Sequence, residues 1–171
     1  MGDDDVDDEH QLLKKTTAPI ILLLDFLVCC GLFPQTQTNK TQTPNILHTM
    51  SAEEIATAFV QHFYQTFDSG VDGLTGLFND QSMLTFEGQQ VGGSAAAIID
   101  KLRSVGAVTH SVKTTDVQPS SNPNAIIIFV TGAIKIGGDN PLHFCEFFHL
   151  VSTAPGQYYV HNDVFRLNYG L

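Results

Sequence analysis

The sequence predicts an α+β fold, three helices followed by a long antiparallel sheet. Three observations carry that prediction. Apolar residues recur at spacings of one, three and four from Ala52 to Phe67. After Val108 the chain is a series of strand-like runs separated by turn clusters. The first 49 residues differ in composition from all that follows. The 171-residue chain thus divides into an extension, residues 1–49, and one globular unit, residues 50–171.

In the extension an acidic run, Asp3 to Glu9, is followed by Lys14-Lys15 and by an apolar stretch from Ala18 to Phe33. A Thr/Gln/Asn-rich segment from Gln35 to Asn45 then reads as a solvated linker. As a helix the apolar stretch would reach only ~24 Å against a hydrocarbon core of ~30 Å. It carries Pro19 near its start and Asp25 mid-run, where insertion costs roughly 2.5–3.5 kcal/mol. The lysines and the apolar run fit a secretory signal, while the acidic start and Asp25 fit it badly. A disordered or wrongly assigned extension, a targeting signal, and a membrane anchor at residues 18–33 all stay open.

The globular unit begins on a capping signal. Ser51, with Glu54 three residues on, forms a capping box: the Ser side chain accepts from one orphan N–H and the Glu returns to the Ser N–H. Met50 directly precedes it, so translation from Met50 is expected to yield a complete domain. Ile55, Ala56, Phe59, Val60, Phe63, Tyr64 and Phe67 form the apolar stripe of an amphipathic helix, ended by Asp68-Ser69-Gly70. Leu74 to Phe78 suits a second short helix. Ser82 to Glu87 reads as a strand, with turns at Gly88 and Gly92-Gly93. Ser94 caps a third helix, Ala95 to Arg103, with Ile98, Ile99 and Leu102 facing inward.

Strands follow over Val108 to Gln118, Ala125 to Ile136, Pro141 to Ser152 and Tyr158 to Tyr169, with a turn cluster from Pro119 to Asn124. The run Ile126-Ile127-Ile128-Phe129-Val130 is apolar on both faces. One face can bury against the helix. The other needs a cover that no remaining segment supplies, so a homodimer packed sheet to sheet with twofold symmetry is expected.

Charged residues make up 15% of the chain and hydrophobic ones 43%, enough for a sizeable core. The formal net charge is −10, of which −4 lies in residues 1–49 and −6 in the globular unit. Such acidity repels phosphates and favours basic partners, so no nucleic acid partner is expected. Cys29, Cys30 and Cys145 give neither a disulfide framework nor zinc spacing, and they suit a reducing compartment. His143, Cys145 and His149 share one parity on a strand, but structural zinc takes four closed ligands; neither metal nor cofactor is expected.

Two short stretches identify the chain further. Leu84-Thr85-Phe86-Glu87-Gly88-Gln89-Gln90 sets an aromatic beside a carboxylate at a strand end, before a Gly turn. Asn162-Asp163-Val164-Phe165-Arg166-Leu167-Asn168-Tyr169 is a final strand of alternating large apolar and polar groups. With Gln61 to Asp68 and Thr109-His110-Ser111, these stretches resemble the nuclear transport factor 2 family over about Ala52 to Tyr169. The resemblance implies a cone-like, strongly curved antiparallel sheet wrapped around the long N-terminal helix, with a cavity at its mouth. It implies a carrier rather than an enzyme. The partners it implies are GDP-bound Ran and the Phe-x-Phe-Gly repeats of nucleoporins. The implied location is cytoplasm and nucleus, enriched at the nuclear pore.

By the same resemblance, Phe86 matches the family's cavity aromatic, where an aromatic from switch II of Ran inserts. Glu87 matches the carboxylate that pairs with a basic Ran side chain, and His110 a histidine near the cavity mouth. Asp139 is the one acid of the Gly137-Gly138-Asp139-Asn140 loop, in which Gly137 stands where some relatives have a carboxylate. Asp68 matches a residue tied to the nucleoporin contact. Ala52 stands where some relatives carry an aromatic that caps that site.

The residues alone leave plainer readings open. Glu87 suits a solvated turn residue, His110 a structural histidine, and Asp68 a helix C-terminal turn residue. Two rival functions also stay open. An isomerase or dehydratase on the same fold needs paired acids, or an acid with Tyr or His, in an apolar cavity. Glu87, His110, Glu146 and Asp163 are the candidates, with Glu146 in phase with Phe144 and Phe148, but the sequence shows no acid pair at convincing spacing. An export or scaffold adaptor domain would sit in a longer chain or a heterodimer, and no basic tail or RNA-binding repeat accompanies this one.

Overall fold

The computed structural model describes residues 50–138 and 140–169. The extension, with its three open readings, lies outside the described residues, as does Asp139. No helix among the described residues is long and apolar enough to cross a membrane.

Helix α1, Ala52–Ser69, starts where its capping box dictates. Glu54 N–H donates to Ser51 Oγ at 3.2 Å, and Ser51 N–H donates to Glu54 Oε2 at 2.8 Å. Gly70 stops the helix, its N–H reaching back to Thr66 O at 2.8 Å. A 3-10 helix, Val71–Leu77, stands in place of the expected short helix and buries Leu74 and Leu77. Helix α2, Ala95–Arg103, is capped by Ser94 Oγ, which accepts from Ala97 N–H, and it buries Ile98, Ile99 and Leu102.

Six strands form one sheet: β1 Met83–Phe86, β2 Gln89–Gly92, β3 Val108–Pro119, β4 Ala125–Ile136, β5 Leu142–Ala154 and β6 Gln157–Asn168. Their order across the sheet is β2-β1-β6-β5-β4-β3. Strands β3 to β6 pair antiparallel, as expected. The expectation of an antiparallel sheet throughout fails at one seam. Strand β1 runs parallel to β6, from Met83 against Asn162 to Phe86 against Phe165. The chain leaves β1, passes through α2 and three long strands, and only then returns beside it. A long crossover of this kind permits parallel pairing, whereas a tight turn enforces antiparallel pairing. Strand β2 folds back on β1 through Glu87-Gly88, whose φ values of 50° and 85° are the positive pair that type I′ hairpin turns require. The sequence pattern marks only turns there, because Gln89-Gln90-Val91-Gly92 shows no apolar alternation.

One face of the sheet buries against α1. On β4, Ile126, Ile128, Val130 and Ile134 are buried, while Phe129 points away and is 40% exposed. Phe59 and Phe63 of α1 meet Phe148 with ring centroids 5.0 and 4.8 Å apart. Strand β6 alternates against the expected polarity: Asp163 and Phe165 are buried, and Val164 faces outward at 37% exposure. Gly132 of β4 lies opposite Phe144, and a Cβ there would come within 2.7 Å of that ring and 2.6 Å of Ser111 O. The missing side chain is what lets the Phe144 ring lie on the strand.

Candidate functional site

Strand β1 delivers Phe86 to the end of the sheet, half-buried against the core. The β1–β6 register makes Phe165 its cross-strand partner, and the two rings stack with centroids 4.6 Å apart and planes 5° from parallel. Phe165 stacks in turn on Phe144 at 5.6 Å. Phe144 meets His110 at 5.5 Å and Tyr64 at 5.7 Å. An aromatic layer therefore runs from β1 through β6 and β5 to β3 and α1. Lys101 of α2 holds its ammonium 5.3 Å from the centre of Phe86, anchored to Gln89 Oε1 at 2.8 Å.

Glu87, next along, is not a free turn residue. Its N–H donates to Phe165 O at 3.1 Å. Its Oε1 accepts from Leu167 N–H at 2.6 Å, and its Oε2 from Tyr169 Oη at 3.4 Å. The carboxylate is thus fixed against the end of β6, yet it forms none of the ion pairs found among the described residues. A carboxylate offers about four acceptor positions, so room remains for an incoming cation. Gly88 is required by its backbone: its φ is 85°, whereas the Arg166 guanidinium, 3.1 Å from where a Cβ would stand, is the movable end of an exposed side chain.

His110 and Asp68, matched to different partners, prove to be one unit. His110 N–H donates to Asp68 Oδ2 at 2.9 Å, and His110 Nδ1 lies 2.6 Å from Asp68 Oδ1. The His110 side chain is 1% exposed. Burial lowers its pKa and the Asp68 carboxylate works against that, so at neutral pH the ring is mainly uncharged. Ala52 is not brought to Asp68. The two sit at opposite ends of the 18-residue α1, roughly 24 Å apart along its axis. Asp139 lies outside the described residues. Gly137 has φ 57°, a left-handed turn position that glycine occupies without strain.

The fold also makes an acid pair that the sequence conceals. Glu146 faces Phe165 across the β5–β6 ladder and Asp163 faces Phe148, so the two acids are diagonal neighbours on the inner face. They are 2% and 0% exposed. Tyr64 Oη donates to Glu146 Oε2 at 2.6 Å, whereas neither Asp163 oxygen has a hydrogen-bond partner. Burial pushes Glu146 up to about 7, partly opposed by hydrogen bonding. Asp163 is raised by burial and then by Glu146, and Tyr64 by burial and then by Glu146. Periodicity could place Glu146 inward, but only the β5–β6 register, set by the Pro155-Gly156 turn together with the irregularities at His149/Leu150 and Ser152/Ala154, brings Asp163 to it. Both carboxyls are enclosed by core, so the pair presents no open acid–base couple to a substrate. On the outer face Cys145 is a free thiol between His143 and His149. Among the described residues no three side chains gather as a metal site.

A long helix laid across a curved, mixed six-stranded sheet, with an aromatic–carboxylate hairpin at one end, defines the nuclear transport factor 2-like class of fold. The family model described as the nuclear transport factor 2 (NTF2) domain matches residues 55–167. The chain belongs to this family. Nuclear transport factor 2 of Oryza sativa subsp. japonica is 48% identical over 124 residues, which span 71% of this chain and 100% of the rice protein. Nuclear transport factor 2B of Arabidopsis thaliana is 42% identical over 123 residues, 70% of this chain and 97% of that one. The solved structure of nuclear transport factor 2 from Cryptosporidium parvum superposes with a TM-score of 0.63 at 40% identity, covering 68% of this chain and 94% of that one. These relatives bear the name of a transport factor, a carrier role and not an enzymatic one.

Proposed function

We propose that this chain carries GDP-bound Ran into the nucleus, docking Ran on the Phe86–Glu87 rim and nucleoporin Phe-x-Phe-Gly repeats beside α1. The observation that carries this reading is the hairpin itself. It presents an aromatic ring backed by Phe165, next to a carboxylate fixed in place and holding spare acceptor capacity. An aromatic side chain flanked by Lys or Arg, as switch II of Ran offers, complements both features. A charge-assisted hydrogen bond in a partly dry rim supplies affinity. The net charge of −6 on the globular unit favours a basic partner. Discrimination between nucleotide states arises in Ran, whose switch II is arranged differently in the two states. Asp139 enters only through its match to the family as a second acidic contact, and His110 acts through the Asp68 pair it is bound to.

The nucleoporin contact needs only a small apolar site with fast exchange. Asp68 and Ala52 mark the two ends of α1, so one chain alone does not bring them into a single small site. Residues 50–171 form the working unit, and shuttling distributes the protein between cytoplasm and nucleus with enrichment at pores.

A pull-down with purified Ran tests the reading. The GDP form should be retained and the GTP form lost. Glu87→Lys should weaken binding by roughly a hundredfold or more, since stranding one member of a buried charge pair costs ~3–5 kcal/mol. Equal retention of both nucleotide forms, or full binding by Glu87→Lys, would overturn it.

A further inference from the structure

We infer that the folded domain is a proton-binding site: one proton is held between the buried carboxyls of Glu146 and Asp163, beneath the aromatic layer that carries Phe86. The geometry demands a donor that the chain does not otherwise supply. Tyr64 has one O–H, and it is given to Glu146 Oε2. Both Asp163 oxygens are buried without a partner. An ionised carboxylate can only accept, so with both acids ionised the two Asp163 oxygens would be left short of a donor beside a second negative charge. One proton between them turns that repulsion into an O–H···O bond.

No cation relieves the pair instead. From β4 it faces Val130, the cross-strand partner of Glu146, and Ile128, the partner of Phe148. From β1 it faces Leu84, the partner of Asp163. From β5 and β6 come Phe148 and Phe165, and from α1 comes Tyr64. Beyond Tyr64, at 4.8 Å between rings, lies His110 of β3, already committed to Asp68 and pushed toward its neutral form by burial. Lys101 sits over Phe86, and Arg103 is tied to Asp72 and Asp100 at the surface. None of the ion pairs among the described residues includes Glu146 or Asp163.

The sign of the linkage follows. Burial raises Glu146 from 4.5 to about 7 and raises Asp163 as well. The unfolded chain therefore releases this proton at lower pH than the folded one. The stability these protons confer is complete below the unfolded carboxylate range; Glu146 gives up its proton as pH climbs through about 7, while Asp163, raised well above its ordinary value, keeps the shared one to higher pH. The titration belongs to the pair and not to either residue alone. Phe165, partner of Glu146 in the ladder, is also the ring under Phe86, so proton release bears on the docking rim through one stacked pair. That consequence rests on the docking reading above, whereas the proton site does not.

Infrared spectroscopy of the full chain tests it. The folded protein at pH 6 should show the carbonyl stretch of a protonated carboxylic acid, which weakens as pH is taken through about 7 and persists above it while Asp163 keeps the shared proton. Glu146→Gln, which keeps the acceptor for Tyr64 and offers an amide donor to Asp163, should weaken that band and move its titration to lower pH, because the Glu146 charge that helps raise Asp163 is gone. The unfolding constant of the wild-type chain should rise more between pH 5 and pH 8 than that of Glu146→Gln, which lacks the Glu146 step at about 7. Asp163→Asn should leave only the Glu146 step, so that the band is lost completely as pH is taken through about 7. Absence of the band in the folded wild-type protein at pH 6 overturns the proposal whether or not either variant folds. So does a band unchanged in both variants. Ran binding is not used as a readout, so a failed docking reading leaves this result intact.

Discussion

Asp68 shows how one residue can serve a site without touching a partner. It satisfies two groups of His110, the backbone N–H and the ring Nδ1. The ring is almost fully buried while Asp68 itself reaches solvent, so water replaces those bonds only in part when Asp68 is lost. Asp68→Ala should lower stability by about 1–3 kcal/mol, the cost of leaving dry polar groups unpaired. The check is a lower denaturant midpoint at unchanged slope. Asp68→Asn, which keeps an acceptor for one of the two bonds, should cost less. A weakened nucleoporin or Ran contact in Asp68→Ala is therefore an effect on His110 as much as on the surface. This link was not legible in the sequence, where the two residues stand 42 apart. The capping box of Ser51 and Glu54 was legible, because both bonds span three residues. Glu87 was half legible. Its place in a hairpin turn could be read, but its fixation by Leu167 and Tyr169 depends on a strand some 80 residues away.

Among the elements, β4 holds the position on which the aromatic layer turns. A glycine in mid-strand weakens the strand by its own preferences, so its presence requires a reason. At Gly132 the reason is the Phe144 ring of β5 and the Ser111 carbonyl of β3, which leave no space for a methyl group. Gly132→Ala must displace both. The ring can swing, but the backbone oxygen is held in the β3–β4 ladder, so the strands themselves must give. The expected cost is about 1–3 kcal/mol, as for other overpacked cores, read as a lower melting temperature. Gly137→Ala, at a turn with nothing within 4 Å, provides a control for backbone strain alone. Helix and strand spans were largely legible from periodicity, since α2 and β4 fall where the pattern puts them. Direction and register were not. Nothing local in Met83–Phe86 specifies a parallel partner, and nothing local in β6 turns Asp163 inward and Val164 outward. Both follow from closing the sheet around α1, which buries Phe165 under Phe86 and carries Asp163 inward with it.

At the scale of the whole molecule, the outer face of the sheet remains to be covered. Asp116, Phe129, Phe147 and Val164 stand side by side across β3, β4, β5 and β6, all on the face turned away from α1. Phe129 and Val164 are 40% and 37% exposed, and Phe147 is half-buried between them. A second copy applied by a twofold rotation would bring the same row against itself, which is how isologous interfaces close. A stable interface removes about 800 Å² per partner from water, and a face four strands wide offers an area of that order. Phe129→Glu should break such a dimer. It sets a charge in an apolar seam, next to Asp116 of the neighbouring strand, and the twofold doubles the repulsion. Light scattering should report a dimeric mass for the wild-type chain at micromolar concentration and a monomeric mass for Phe129→Glu. The inner core, including Phe59, Phe63 and Phe148, is untouched by the substitution, so the helical circular dichroism signal should persist. A wild-type chain that scatters as a monomer would remove the homodimer. It would shift the exposed row toward a heterodimer of the adaptor kind, since the apolar surface still requires a partner.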